Sequence, residues 1–254
     1  AFELESQGRM QVSMNLEGPG GTSPFAGFQA IEVWEAHASP QTLTSRARAD
    51  EWKAIMDDAG LKPVAYAGTL KRETLQICQW LEIPHVDGQI GQLSPDEATA
   101  LCAEFEVGYN VENHPQKTSA EILEVIGGGN EWLGVCIDTG WLGTQGADAP
   151  AVIRECGELV RHVHVKDVNA AGGHDTCLLG DGAVDLEGCL QALRGIGYTG
   201  WYSWEDEPED RDPMASAERI FQLLETREIL PVARRPAVLK EVQGAVEFSE
   251  VEFL

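Results

Sequence analysis

Short apolar runs alternate with helical patterns along the chain, and no other feature of the sequence restricts the fold as much. Eight runs have the composition of strands: MQVSMNL (10–16), FQAIEVWEA (28–36), PVAYAG (63–68), HVDGQI (85–90), YNVENH (109–114), LGVCIDTGW (133–141), HVHVKD (162–167) and WYSWEDE (201–207). The intervening and following segments predict helices over 45–60, 71–82, 94–105, 119–126, 148–159, 185–196 and 214–227. Strands that alternate with helices predict a parallel sheet that is covered by helices.

Eight such repeats favour closure into a (β/α)8 TIM barrel over an open doubly wound sheet, and 254 residues suit one barrel. Two segments depart from the ideal pattern. EGPGGTSPFAG (17–27) is too rich in Gly and Pro for a full helix, so the first βα unit is expected to be shortened. The last segment, 231–254, is an extra tail that reads as an edge strand, a subunit arm or a loosely packed terminus. We predict a barrel domain over 1–230 and a C-terminal extension over 231–254.

The chain is strongly acidic. Its 42 acidic and 18 basic residues give a formal net charge of −24, which would repel nucleic acid and anionic membranes. No apolar stretch approaches the roughly 20 residues that a membrane-spanning helix needs. The six cysteines include no CxxC pair, and the N-terminus has no secretory pattern, so buried free thiols and a cytoplasmic location are expected. The composition favours a small-molecule partner and leaves a homo-oligomer open.

Four of the strand-like runs end near a side chain that can bind a metal ion. These side chains are Glu112, Asp138, His164 and Glu205. The C-terminal ends of the strands of a parallel barrel converge on one mouth, so residues far apart in sequence can meet there. The sequence therefore predicts one shared site for these four residues.

The second half of the chain resembles a known superfamily. The quoted motifs are VENHP (111–115), GVCIDTGW (134–141), HVHVKD (162–167) and LLGDGAVDLEGCLQALRGIGYTGWYSWEDE (178–207). In this order they are similar to the ligand strands of the xylose-isomerase-like sugar phosphate isomerase/epimerase superfamily. That superfamily includes ketose 3-epimerases, hydroxypyruvate isomerases, inosose dehydratases and isomerases, and endonuclease IV. The resemblance covers about half of the chain. It specifies the barrel fold, but it leaves several reactions possible, because one fold supports many functions.

The resemblance implies that Glu112, Asp138, His164 and Glu205 bind one divalent ion. Three carboxylates and one imidazole suit Mn²⁺, Mg²⁺ or Co²⁺, with Mn²⁺ favoured and Zn²⁺ an alternative, whereas a structural zinc would be expected to have thiolate ligands. In related epimerases the first and last carboxylates also transfer protons on opposite faces of the substrate. Glu112 and Glu205 are therefore the expected catalytic residues.

Other residues near the same motifs are candidates for substrate contact. His162 competes with His164 as the ligand, and we expect only one of the two to face the barrel interior, with the position before VKD favouring His164. Lys166 reads either as a group that binds a substrate oxygen or as the partner of Asp167 in an ion pair. His114 reads as a substrate-binding group or as an exposed loop histidine.

Three further motifs contribute candidate residues. Trp34 and His37 close the second strand and are expected to line the pocket, with core packing as the alternative for Trp34. Gly180 and Gly182 predict a tight turn beside the site or a phosphate-binding loop. Trp141 stands in DTGW where epimerases usually carry His. This exchange disfavours ordinary 3-epimerisation and removes a ligand expected of the three-zinc endonuclease IV site.

Taken together, the motifs predict a divalent-metal-dependent isomerase, epimerase or lyase. Its substrate would be a keto-sugar or keto-inositol, which would lose a proton next to the carbonyl. The alternative is a noncatalytic carbohydrate-binding barrel with a degenerate site, for which Trp141 and the shortened first βα unit are the supporting features.

Overall fold

The computed structural model describes residues 30–58 and 60–206, together with short strands at 3–4, 9–10 and 14–16. The described strands are β1 (Glu3–Leu4), β2 (Arg9–Met10), β3 (Met14–Leu16), β4 (Ala30–Trp34), β5 (Lys62–Thr69), β6 (His85–Gln89), β7 (Gly108–Glu112), β8 (Leu133–Asp138), β9 (Val160–Val165) and β10 (Tyr202–Trp204). The described helices are α1 (Arg46–Asp58), α2 (Arg72–Leu81), α3 (Pro95–Phe105), α4 (Ser119–Val125), α5 (Thr139–Thr144), α6 (Ala149–Cys156) and α7 (Leu186–Gly195), with a 3-10 turn at Gly157–Leu159.

Strands β3 to β10 form one closed barrel in the order β10-β3-β4-β5-β6-β7-β8-β9. Strands β4 to β10 run parallel to one another, with helices in the connections between them. The prediction of a TIM barrel is confirmed. Strands β1 and β2 pair with each other in a separate two-stranded sheet.

The first barrel strand departs from the parallel arrangement that the sequence predicts. Strand β3 pairs antiparallel with both β4 and β10. Antiparallel neighbours do not need the crossover helix that parallel neighbours need. This agrees with the Gly- and Pro-rich composition of 17–27, although that segment, the predicted helix at 214–227 and the predicted tail at 231–254 lie outside the described residues.

The capping signals of the sequence operate at the start of α3. The Ser94 side chain accepts a hydrogen bond from the Glu97 backbone N–H, and the Glu97 carboxylate accepts one from the Ser94 N–H at 2.9 Å. Pro95 follows as the first helical residue, where its missing N–H costs nothing. These local signals explain why the predicted start of this helix agrees with the structure.

The apolar core lies between the sheet and the surrounding helices. Its largest fully buried side chains include Tyr66, Tyr109, Leu75 and Ile122. All six cysteines are free thiols, five of them buried, as the sequence predicts. None of the helices in the described ranges is long and apolar enough to cross a membrane. The barrel interior, in contrast with this core, contains buried carboxylates and imidazoles.

Candidate active site

The four predicted ligands meet at the C-terminal mouth of the barrel. Glu112 and Asp138 are the last residues of β7 and β8, His164 is the penultimate residue of β9, and Glu205 directly follows β10. One ligand atom from each residue lies within 4.8 Å of the others. His164 Nδ1 is 2.9 Å from Glu112 Oε1 and 3.2 Å from Glu205 Oε2. Three carboxylates and one imidazole at this spacing fit a divalent cation.

Two cationic or polar side chains stand beside this cluster. Lys166 Nζ donates to Glu205 Oε1 at 3.1 Å and lies 3.8 Å from Asp138 Oδ2. His114 Nε2 is 3.1 Å from Asp138 Oδ2 and 3.8 Å from Glu112 Oε1. The structure therefore brings both predicted substrate-binding residues to the carboxylates, and His114 is half-buried in the cluster instead of extending freely from a loop.

The charges of the cluster favour the ionised forms of Asp138 and Glu205. Burial acts to raise the pKa of Asp138, but the Lys166 ammonium and the hydrogen bond with His114 outweigh it and hold that pKa well below its usual range. At Glu205, too, burial acts to raise the pKa, but the Lys166 charge and the contact with His164 outweigh it, and the pKa is lowered. Ionised carboxylates are the form that binds metal ions.

The segment DTGW folds differently from the strand that the sequence predicts over 133–141. Strand β8 ends at Asp138, and α5 begins at Thr139. The Asp138 carboxylate caps this helix by accepting the Trp141 backbone N–H at 2.9 Å. The strand prediction was wrong here because an Asp N-cap followed by small residues starts a helix. The Asp138 carboxylate thus caps α5 and also belongs to the ligand cluster.

Neighbouring side chains fix the positions of Asp138 and Lys166. The Asn113 amide accepts the Asp138 N–H at 2.8 Å and donates to the Asp138 carbonyl at 3.1 Å. Thr139 Oγ1 donates to the Lys166 carbonyl at 2.7 Å and accepts the Lys166 N–H at 3.0 Å. A Cβ at Gly140 would lie 2.5 Å from Lys166 Cγ, so a glycine is needed for the lysine side chain to cross α5.

The Trp141 ring contacts His114, which in turn contacts the ligand Asp138. Its ring centroid is 4.4 Å from that of His114 and 5.6 Å from that of His174. His174 is an exposed residue of the loop after β9 that the sequence did not single out. The three rings form an aromatic and imidazole face next to the carboxylates.

The Gly180 and Gly182 loop is held by Asp167. Asp167 Oδ2 accepts the backbone N–H groups of Gly180 and Gly182 at 2.9 and 3.0 Å. Asp167 Oδ1 accepts those of Val168 and Val184 at 2.9 and 3.1 Å. The loop N–H groups are thus bound to a carboxylate, and the reading as a phosphate-binding loop is wrong for this structure. The predicted tight turn is present, with Gly180 at φ 86°.

This loop yields a stability prediction. We expect Asp167→Ala to lower the free energy of unfolding by about 2–5 kcal/mol, because four backbone donors lose a buried charged acceptor. Urea unfolding measures the change. Asp175→Ala, in an exposed part of the same loop, is the matched control and should change stability by less than about 0.5 kcal/mol. Equal effects of the two substitutions would contradict the anchoring role of Asp167.

Trp34 and His37 lie at the C-terminal end of β4. Their rings contact each other edge to face, with centroids 5.2 Å apart, and both residues are half-buried. Burial lowers the pKa of His37, which favours the neutral imidazole. Between them Glu35 accepts the Thr69 N–H at 2.9 Å and pairs with Lys71. The described contacts of these two rings do not reach the four ligands, so their role as pocket residues stays a prediction.

The sequence missed a second layer of polar residues inside the barrel. His162 and His164 both face the interior, with ring centroids 5.5 Å apart and exposed fractions of 0% and 3%. The expectation that only one of them faces inward was wrong, because residues two apart on a strand share a face. Glu32 and Asp87 are also fully buried beside these rings. The sequence signal that could have revealed this layer is Glu32, an acidic residue in the middle of the apolar strand β4.

Comparison with known proteins places the fold in a family. A family model described as xylose isomerase-like TIM barrel matches residues 94–227, more than half of the chain. The chain belongs to the xylose isomerase-like TIM barrel family. A sequence search of curated proteins found no match.

Solved structures of other members of the fold are similar over most of the chain. The crystal structure of an IolI protein with a bound zinc atom has a TM-score of 0.59 and 18% identity, covering 80% of this chain and 88% of that one. The probable 3-DHS dehydratase AsbF of Bacillus anthracis, involved in petrobactin synthesis, has a TM-score of 0.61 and 16% identity, covering 80% and 90%. D-psicose 3-epimerase of Clostridium cellulolyticum H10, solved with D-tagatose, has a TM-score of 0.61 and 15% identity, covering 81% and 90%. At these identities the likeness shows the xylose isomerase-like fold alone.

Proposed function

We propose that this protein is a divalent-metal-dependent isomerase, epimerase or lyase that acts on a keto-sugar or keto-inositol. The observation that carries the proposal is the convergence of Glu112, Asp138, His164 and Glu205 within 4.8 Å at the barrel mouth. The names of similar structures support it, because they include an epimerase, a probable dehydratase and a zinc-bound protein. We favour Mn²⁺ because carboxylate oxygens are three of the four ligands, with Zn²⁺ as the alternative.

The metal and the protein side chains have separate tasks in this proposal. A divalent ion, when bound, would polarise the substrate carbonyl and acidify the neighbouring C–H group. Glu205 is the base that removes this proton, and Glu112 is the acid or base on the opposite face. Lys166 lies close enough to Glu205 to keep it ionised and to donate a hydrogen bond to a substrate oxygen. His114 provides a second donor next to Asp138.

The aromatic face narrows the proposed substrate. Trp141 replaces a polar group of epimerases with an indole ring, and His114 and His174 flank it. An indole surface favours the C–H face of a ring over an extended polar chain. We therefore favour a cyclic polyol or glycoside ketone over a small open-chain ketose as the natural substrate.

Proton exchange in D₂O tests this function. Protein stripped with a chelator and reloaded with Mn²⁺ is incubated with a panel of keto-sugars and keto-inositols, and NMR follows deuterium at the carbon next to the carbonyl. We expect exchange into at least one cyclic ketone with the Mn²⁺-loaded protein and none with the stripped protein. Binding of a panel member without exchange would instead favour the noncatalytic carbohydrate-binding barrel.

A further inference from the structure

A second group of potential metal ligands lies deeper in the barrel than the site described above. We call it the inner cluster, and it consists of Glu32, Asp87, His162 and His164. The first three occupy the middle positions of β4, β6 and β9, whereas the ligands at the mouth lie at or near the strand ends. One ligand atom from each of the four residues lies within 4.8 Å of the others.

Several atoms that face the inner cluster have no hydrogen-bond partner among the described residues. These are both carboxylate oxygens of Glu32, Asp87 Oδ2 and His164 Nε2. Glu32 Oε2 is 2.8 Å from His164 Nε2 and 3.7 Å from His162 Nε2, yet the close pair lacks hydrogen-bond geometry. This approach places a carboxylate oxygen and an imidazole nitrogen close enough to one point for a common ion to bind both.

Surrounding side chains hold the inner cluster in position. Asp87 Oδ1 accepts a hydrogen bond from Asn110 Nδ2 at 2.7 Å and lies 3.0 Å from His85 Nδ1, which leaves Oδ2 directed inward. The partners of Asp87 are of the kind that fix the orientation of a metal ligand. At His162 the inward nitrogen Nε2 is itself 2.7 Å from Ser203 Oγ, so an ion bound to Nε2 would replace this hydrogen bond.

The charge of the inner cluster also favours a cation. Glu32 and Asp87 have fully buried side chains, and within the described ranges their ion-pair contacts are with histidine rings and not with Lys or Arg. Buried carboxylates are normally paired with a cation or coordinate a metal. A divalent ion would balance both charges and satisfy the unpartnered atoms at once.

We propose that Glu32, Asp87, His162 and His164 bind a second divalent transition-metal ion inside the barrel. Imidazole nitrogens and carboxylate oxygens are both ligands of Zn²⁺, and these four side chains supply the four ligands that the ion usually takes. His164 Nδ1 faces Glu112 and Glu205, and its Nε2 faces Glu32. If both ions bind, His164 would be a ligand of each through its two ring nitrogens, and its remaining ring proton would pass to solvent.

Metal counting with a matched pair of variants tests the proposal. Chelator-stripped protein is dialysed against Zn²⁺, and mass spectrometry gives the number of ions per chain. Asp87→Asn and Asp138→Asn make the same change at two fully buried carboxylates, one in each cluster, and both keep His164. We expect two ions in the unsubstituted protein and one in each variant, with at least a 100-fold loss of affinity at the altered site, because even outer partners cost 10–100-fold.

The outcomes separate this proposal from the proposed function. One ion that survives Asp87→Asn and is lost in Asp138→Asn overturns the inner cluster and leaves the mouth site intact. One ion that is lost in Asp87→Asn and survives Asp138→Asn supports the inner cluster and refutes the site at the barrel mouth. If Asp87→Asn fails to fold, anomalous diffraction from Zn²⁺-soaked crystals of the unsubstituted protein decides, because a missing peak between Glu32 and Asp87 rejects the proposal.

Discussion

Glu205→Gln is expected to reduce deuterium exchange and turnover by about 10²–10⁴-fold, the usual contribution of a positioned acid–base group. Glu205 is 6% exposed, Lys166 Nζ lies 3.1 Å from one of its oxygens, and His164 lies 3.2 Å from the other. The glutamine has nearly the same shape and accepts a hydrogen bond from Lys166, but it cannot take a proton. Rates on a substrate identified by D₂O exchange, with the Mn²⁺ content measured in parallel, report the effect.

Two comparisons make the Glu205 result interpretable. Glu104→Gln makes the same chemical change at an exposed ion pair with Arg72 and should leave the rate unchanged. A modest rate loss together with complete loss of the metal would make Glu205 a ligand only. An unchanged rate in the metal-loaded variant would refute its role as the base.

The barrel could be predicted because its signals are local and repeated. The strands appear as short strand-like runs and the helices as helical patterns between them, and α3 has its own caps at Ser94 and Glu97. The four ligands at the mouth could be predicted as neighbours because parallel strands place their C-terminal ends together. These inferences required the order of the elements and no knowledge of the strand register.

The inner cluster could not be predicted in the same way. Whether Glu32 meets His164 depends on the closure of the barrel, which brings β4 and β9 to facing sides of one interior. That closure depends on pairing between β3 and β10, which is antiparallel and therefore differs from the repeating pattern. The charge of Glu32 within an apolar strand indicated only that a buried partner was needed.

Trp141 shows how the local fold changes the meaning of a motif. In the sequence it replaces the histidine of a strand end, three residues after a predicted ligand. In the structure it belongs to α5, and its backbone N–H binds the Asp138 carboxylate. Its ring is packed against His114, whose Nε2 is 3.1 Å from Asp138 Oδ2. We therefore expect the ring to limit which substrates enter.

We expect Trp141→His to raise activity on small ketoses, or to lower it on the natural substrate, by about 10–200-fold, the range for one pocket contact. A smaller imidazole enlarges the space beside His114 and restores a polar group there. The matched control is Trp132→His, because Trp132 precedes β8 at the opposite end of the strand that Trp141 follows. Exchange rates across the ketone panel, measured beside melting temperatures, separate selectivity from stability. If both substitutions change only the melting temperature, Trp141 is a packing residue and does not determine the substrate.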